Sequence, residues 1–124
     1  MSPRRRVAIA LQIDEPYPHH QEVFAGIQRY AQEHADWECL IDEHPTYDAR
    51  RRRQPSKQYD GIVARANAHM QRRIRRQNIP LVNTLFQANR PGLPGVYADP
   101  WAMGRLAAEH LIDRAFRRLC ALVD

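Results

Sequence analysis

The sequence has little of what disulfide-bonded, metal-binding or membrane-spanning proteins need. Only two cysteines, Cys39 and Cys120, occur among 124 residues, and neither has a second ligand residue at a spacing typical of a disulfide framework or a metal site. Both stand inside apolar runs, so we expect two small buried hydrophobic side chains. No apolar run is long enough to cross a bilayer. Asp14 and Glu15 stand where a secretion signal would need a small-residue cleavage site, which predicts a cytoplasmic protein without membrane contact.

Glycine is absent from the first predicted strand-to-helix turn, which reads Asp-Glu-Pro-Tyr-Pro over residues 14–18. Phosphate-binding folds need glycine there so that backbone N–H groups can approach the anion, and its absence disfavours dinucleotide binding. A phospho-acceptor receiver domain has a similar topology, but it needs an aspartate where residues 64–66 read Ala-Arg-Ala. We therefore predict no cofactor.

Residues arranged for catalysis are also lacking. No serine, cysteine or lysine stands in a recognisable nucleophile setting. His19 and His20 are adjacent on a predicted helix, where neighbouring side chains point about 100° apart. No nearby residues complete a coordination shell, so a solvated helix start is expected there. His110 falls on an apolar helix stripe and is expected to be packed. The sequence predicts no enzyme, no catalytic residue and no metal site.

Positive charge is abundant: the formal net charge is +5 and the pI is near 9.8. The arginines are bunched, and the four groups fall within residues 4–6, 50–53, 72–76 and 114–118. Such a balance invites a nucleic-acid hypothesis, but solvated helix faces and loop ends are the favoured interpretation. Direct DNA binding through these groups stays an alternative, and its mark would be an affinity that falls steeply with added salt.

Strand-like apolar runs alternate with helical patterns along the chain. Strands are predicted over residues 7–13, 37–42, 60–64, 80–85, 95–98 and 119–123. Helices are predicted over residues 19–34 and 67–77, and from Pro100 onward with Asp99 as the N-cap. This alternation predicts an α/β protein with a doubly wound parallel sheet, right-handed crossovers and the first strand central.

The predicted helices carry apolar stripes with helical spacing. The first helix contributes Val23, Phe24, Ile27, Tyr30 and Ala31. Gly26 interrupts it, and close packing against a neighbour would explain that glycine. Met70 and Ile74 are expected to face inward from the second helix, and one helical turn could follow Asp48. The third helix contributes Met103, Leu106, Ala107, His110 and Leu111.

Ligands of such sheets bind beyond the carboxyl ends of the strands, near the point where strand order reverses. The loops expected there span residues 14–17, 65–67, 86–88 and 98–99. Their polar and aromatic side chains can hydrogen-bond sugar hydroxyls and stack on a sugar ring: Asp14, Glu15, Tyr17, Arg65, Asn67, Phe86, Gln87 and Asp99. This mixture suits a small neutral polyol better than a phosphate.

Three motifs carry a family resemblance. Residues 26–34, GIQRYAQEH, are followed shortly by Trp37; residues 60–65 read DGIVAR; and residues 98–99, AD, precede GRLAAEHL at residues 104–111 and then Phe116-Arg117. In this order they resemble sensor domains of the LacI/GalR type, most closely those of xylose-operon regulators. The resemblance extends from about Arg6 to the last residue.

The resemblance implies a two-lobed, periplasmic-binding-protein-like domain that closes on a sugar, pentose-like in this branch. Residues 1–6 would be a basic extension, 7–98 the first lobe, and 99–124 the first helix and strand of an incomplete second lobe. It implies ligand contacts from Asp14, Tyr17, Arg65, Phe86 and Asp99. It further implies a cytoplasmic transcription regulator that is a homodimer at full length and binds operator DNA through a module absent here.

Two departures from the family shape this expectation. No helix-turn-helix precedes the first strand, and neither an AraC-type DNA-binding module nor most of the second lobe follows. We therefore expect the sensing portion of a longer regulator, with millimolar or undetectable sugar affinity, because a single lobe buries only one side of a ligand. The alternatives are a substrate-binding protein of a sugar uptake system, a small enzyme or receiver-like domain, and a direct DNA binder.

Overall fold

The structure is a computed structural model that describes residues 3–34, 36–45 and 59–122. It has an α/β fold with one four-stranded, all-parallel sheet in the order β2-β1-β3-β4. The strands are β1 (Arg5–Ala10), β2 (Trp37–Ile41), β3 (Gly61–Ala64) and β4 (Leu81–Asn83). The helices are α1 (Pro18–His34), α2 (Ala68–Gln77) and α3 (Pro100–Asp113), with a short 3-10 turn at Phe86–Ala88.

Strand β1 lies inside the sheet, as its nearly continuous apolar run predicts. It pairs with β2 on one side (Arg5 opposite Trp37) and with β3 on the other (Val7 opposite Gly61). Its side chains are buried on both faces from Val7 onward. The strand ends at Ala10, three residues earlier than predicted, and Gln12 just beyond it has a left-handed backbone (φ 54°).

Helix α1 covers the face of the sheet on which Val7, Ile9 and Leu11 lie. Val23, Phe24 and Ile27 pack against these three side chains, which confirms the inward part of the predicted stripe. Tyr30 is exposed instead and stacks on the ring of His34 at 4.0 Å. The expectation for Gly26 is wrong: a Cβ atom added there would meet nothing within 4 Å.

Helix α2 covers the opposite face of the sheet. Ala8 and Ala10 lie on that face, because alternate residues of a strand point to opposite sides. Ile74 is buried among Ala8, Ala10 and Ile62, and Met70 packs at the edge of the same cluster, as predicted. Its N-cap is Asn67, whose side-chain oxygen accepts a hydrogen bond from the Met70 N–H. Its C-cap is Asn78, which has the left-handed conformation common at that position (φ 53°).

The last two predicted strands are not formed. Residues 95–98 contribute only one bridge, between Asn83 and Gly95. Residues 119–122 are exposed and have no regular structure. Apolar residues favour a strand locally, but a strand also needs a neighbour whose N–H and C=O groups it can pair with. Cys120 in this segment is exposed, so its predicted burial is wrong. Cys39 is half-buried, and that burial raises the pKa of its thiol.

Helix α3 begins as predicted, with Pro100 in its first turn and Asp99 accepting a hydrogen bond from the Ala102 N–H at 3.0 Å. No residue of α3 is buried. The side chain of Trp101 is 72% exposed and that of Leu106 is 66% exposed. His110 is exposed as well, which corrects the expectation that it is packed.

The predicted turn after Asp48 and the arginines at 50–53 lie outside the described residues. Within the described part of the chain, no helix is long and apolar enough to cross a membrane.

Candidate functional site

A cleft of about 420 Å³ opens at the carboxyl ends of β1, β2 and β3. Since the chain passes from β1 outward to β2 and then back across β1 to β3, strand order reverses at this place. This is where the sequence predicts a ligand site. The lining residues end β1, follow the three strands or lie on α2: Ala10, Gln12, Asp14, Glu15, Glu43, His44, Arg65, Asn67, His69, Met70 and Arg73.

Two of the five predicted ligand-binding residues, Asp14 and Arg65, are brought together in this cleft. The backbone N–H of Arg65 continues the β1–β3 pairing by donating to Ala10 O at 2.9 Å. Its side-chain Nε–H donates to Gln12 Oε1 at 3.0 Å. The guanidinium of Arg65 is therefore held from the end of β1 and lies along the cleft wall.

The other three predicted residues do not line the cleft. Tyr17 is exposed, and its ring lies 5.3 Å from that of His20. Phe86 is exposed in the turn after β4, with its ring edge-on to Tyr97 at 5.8 Å. Asp99 serves as the N-cap of α3. The structure thus gives Asp99 a structural role and leaves Tyr17 and Phe86 outside the cleft.

The sequence did not predict a role for Gln12, which makes four hydrogen bonds. Its N–H donates to Glu43 Oε2 at 3.0 Å, and its side-chain oxygen accepts from Arg65. Its carbonyl oxygen accepts from the Glu15 N–H at 3.1 Å and from His20 Nδ1 at 3.1 Å. A glutamine at the end of an apolar run gives no sign of this role, because the role depends on the backbone turn that follows the strand.

His20 is buried, with 5% of its surface exposed. The prediction of a solvated helix start is therefore wrong for His20, although His19 is exposed. Because the carbonyl of Gln12 can only accept, Nδ1 of His20 carries the proton in this contact. The first turn of α1 is thereby fastened to the turn that follows β1.

Glu43 and His44 were not predicted either, because the loop after β2 is not among those expected at the site. The register of β1 and β2 brings the end of β2 level with the end of β1: Ile9 lies opposite Ile41, and the Asp42 N–H donates to Ile9 O. Glu43 can therefore reach the cleft. Its second oxygen, Oε1, is buried and has no hydrogen-bond partner in the described chain.

The charges of the cleft nearly balance. Asp14, Glu15 and Glu43 supply carboxylates, while Arg65 and Arg73 supply guanidinium groups. Carboxylates accept and guanidinium groups donate hydrogen bonds, so both kinds of partner are available to a hydroxyl-rich molecule. A phosphate or another strong anion would meet three carboxylates here. The cleft is suited to a small polar ligand without a large net charge.

Asn83 supports the loops beside the cleft and was not singled out from the sequence. It is fully buried at the end of β4. Its side-chain oxygen accepts from the N–H groups of Ala66 and Leu85, each at 3.0 Å, and its amide donates to Tyr97 Oη at 3.0 Å. The loops after β3 and β4 are thus joined through one amide.

No group of three or more histidine, cysteine, aspartate or glutamate side chains that could hold a metal ion occurs among residues 3–34, 36–45 and 59–122. In the comparisons with known proteins, no family model matched the chain, and no significantly similar curated protein or solved structure was found.

Proposed function

We propose that this chain is the effector-sensing part of a sugar-responsive transcription regulator of the LacI/GalR type. The observation that carries the proposal is the position of the cleft: it lies where strand order reverses and it holds Asp14 and Arg65. The motif resemblance supports a sugar as the ligand. The nearly balanced charge of the cleft supports a neutral one.

The oxygen atoms and hydroxyl groups of a pentose have partners in the cleft. Ring and hydroxyl oxygens accept from Arg65, and hydroxyl groups donate to Asp14 or Glu15. The cleft is open on one side, whereas sites that bind small molecules well bury most of the ligand surface. One wall of this kind can orient a sugar but holds it weakly, and of the two outcomes that the sequence leaves open, millimolar or undetectable affinity, the proposal commits to millimolar affinity.

Helix α3 supports a second lobe as the opposite wall. Its exposed apolar side chains surround most of its circumference: Trp101, Met103, Leu106, Leu111 and Ile112. A helix that is apolar on most sides is normally buried among other elements. In the proposed two-lobed domain α3 is packed inside the second lobe, and closure of the lobes on the sugar changes how a linked DNA-binding module sits on its operator.

An NMR titration of the ¹⁵N-labelled chain with D-xylose tests the proposal. We expect backbone shifts confined to the cleft, at Gln12, Asp14, Arg65 and Asn67, with a millimolar Kd. Arg65→Ala should abolish these shifts, because it removes the guanidinium that the proposal assigns to the ring and hydroxyl oxygens of the sugar. Arg76→Ala is the matched control on the exposed side of α2 and should leave them unchanged.

Three results would overturn the proposal. D-xylose and other pentoses could leave the spectrum unchanged at high-millimolar concentration, or the shifts could fall on residues away from the cleft. A micromolar Kd for the chain by itself would contradict the requirement for a second wall.

A further inference from the structure

We infer that Gln12 is a positioning residue of the cleft: its side-chain oxygen holds the Arg65 guanidinium in the orientation in which it meets the ligand. The ligand part of this inference rests on the proposed function. The hydrogen bond from Arg65 Nε to Gln12 Oε1, at 3.0 Å, is observed independently of that proposal.

The backbone of Gln12 is the first observation. Its φ angle of 54° lies in the left-handed region, which residues with a Cβ atom adopt at an energetic cost. Such conformations persist only where surrounding contacts impose them, and they cluster at functional sites. Here Glu43 holds the N–H of Gln12, while Glu15 and His20 hold its carbonyl oxygen.

This turn determines where the Gln12 side chain goes. An extended residue would continue β1 past the sheet, whereas the left-handed turn leaves the glutamine lining the cleft. From there its Oε1 reaches the Nε–H of Arg65, which follows the neighbouring strand β3. The contact therefore links residues 53 positions apart across the point where strand order reverses.

The hydrogen bond to Gln12 holds the planar guanidinium of Arg65 in one orientation. A guanidinium has five N–H donors in a rigid fork, and Gln12 engages the one on Nε. The Nη donors of Arg65 make no hydrogen bond within the described residues, so they remain available to a ligand. Because one donor is anchored, less rotational freedom is lost when the others bind.

Three variants of Gln12 separate the effect of its side-chain acceptor from the effect of its strained backbone. Gln12→Ala removes the acceptor and keeps the strained backbone; Gln12→Gly removes the acceptor and also relieves the strain. Gln12→Glu keeps an oxygen at the same position. Gln21→Ala, at an exposed glutamine on α1, is the matched control. The first readout is the exchange rate of the Arg65 Nε–H in NMR spectra recorded below neutral pH.

We expect Gln12→Ala and Gln12→Gly to speed the exchange of the Arg65 Nε–H by about fivefold, the protection given by one ordinary hydrogen bond. Gln12→Glu should preserve the slow rate, as should Gln21→Ala. Gln12→Gly should nevertheless unfold at a higher urea concentration than Gln12→Ala. Gln12→Gly would then be more stable than Gln12→Ala while the Arg65 Nε–H exchanges equally fast in both. That combination is expected if Gln12 positions Arg65, and it is not expected if Gln12 only shapes the turn.

The second readout is the Kd for D-xylose, which should rise about fivefold in Gln12→Ala and Gln12→Gly and stay within twofold in Gln12→Glu. Unchanged Nε–H exchange in Gln12→Ala overturns the positioning role, whatever the sugar does. Faster Arg65 Nε–H exchange with an unchanged Kd for D-xylose would show that positioning by Gln12 does not matter for binding. If D-xylose does not bind the wild-type chain at all, the proposed function fails while the Nε–H exchange still decides whether Gln12 positions Arg65.

Discussion

Single buried polar residues hold the loops around the cleft, and Asn83 is the clearest example. Both ends of its side-chain amide are used: the oxygen accepts two backbone N–H groups and the nitrogen donates to Tyr97. A carboxylate in its place would keep the acceptor but lose the donor, and it would bury a charge with no cationic partner.

We therefore predict that Asn83→Asp lowers the free energy of unfolding by about 3 kcal/mol, the usual scale for an unpaired buried charge. Urea denaturation at neutral pH measures this change. Asn89→Asp, at an exposed position in the following loop, is the control and should shift the midpoint little. A loss below about 1 kcal/mol for Asn83→Asp would contradict the role assigned to the amide.

The phenol of Tyr59 is expected to make the stability of the fold depend on pH in the alkaline range. Burial of this residue, its 2.5 Å hydrogen bond to Asp42 Oδ2 and the negative charge of Asp42 raise the pKa of the phenol, while Arg6 acts in the opposite direction. The folded state thus binds the phenolic proton more tightly than the unfolded chain does. This contribution is complete below about pH 10 and is lost as the pH rises above it.

Urea midpoints measured through that alkaline range should fall for the wild-type chain, and the part due to Tyr59 should vanish in Tyr59→Phe. Tyr30→Phe removes an exposed hydroxyl on α1 and should keep the wild-type slope. Equal slopes for Tyr59→Phe and the wild type would show that the phenol does not control alkaline stability.

Residue by residue, the sequence predicted the part of the cleft that depends on chain order. The positions of Asp14, Glu15, Arg65 and Asn67 at the cleft were predicted because each follows a recognisable strand. Glu43 was missed because only the β1–β2 register shows how far the end of β2 reaches. Gln12 was missed because a left-handed turn at glutamine has no local sequence signal.

At the scale of elements, two glycines offer a matched comparison. Gly26 lies inside α1 and Gly104 inside α3, and a Cβ atom added at either would meet nothing within 4 Å. Alanine should favour the helix by about 0.5–1 kcal/mol at each position. Only α1, however, is packed on the sheet through Val23, Phe24 and Ile27.

Gly26→Ala should therefore stabilise the whole fold by about that amount, measured as a higher urea midpoint. Gly104→Ala should increase the helical circular dichroism signal and leave the midpoint unchanged, since none of the residues of α3 is buried. A midpoint raised equally by both variants would mean that α3 unfolds together with the sheet.

Elements defined by local signals were predicted well. Helix α3 begins at Asp99 and Pro100 as expected, because a capping carboxylate and a first-turn proline act through neighbouring residues. The strands expected at 95–98 and 119–123 failed over their described residues. Their formation depends on partner strands elsewhere in the chain, which an apolar pattern does not identify.

Across the whole molecule, the core is distributed unevenly. Two buried clusters lie on the two faces of the sheet, and all their members come from residues 7–81. The described residues beyond Tyr97 are exposed except for the half-buried Ala102 and Ala108. The parallel sheet and its two packed helices thus hold nearly all the buried apolar surface, and this is the part of the molecule that bears the cleft.

This distribution predicts two very different stabilities in one chain. Isolated helices of about 12–15 residues are only marginally stable in water, and α3 has 14 residues with none buried. Its amides should exchange with solvent deuterium close to the unprotected rate, while those of Val7 to Ala10 exchange only through global unfolding. Hydrogen exchange followed by mass spectrometry, at two protein concentrations, measures the difference.

Comparing the exchange of α3 at the two protein concentrations shows whether a second copy of the chain or the sheet itself protects the helix. Slow exchange that appears only at the higher concentration would mean that a second copy of the chain packs on its apolar faces. Protection of α3 equal to that of β1 at both concentrations would mean that the helix belongs to the same body as the sheet. The proposed second lobe would then lose its main structural support, because α3 would no longer be an apolar helix in need of a partner.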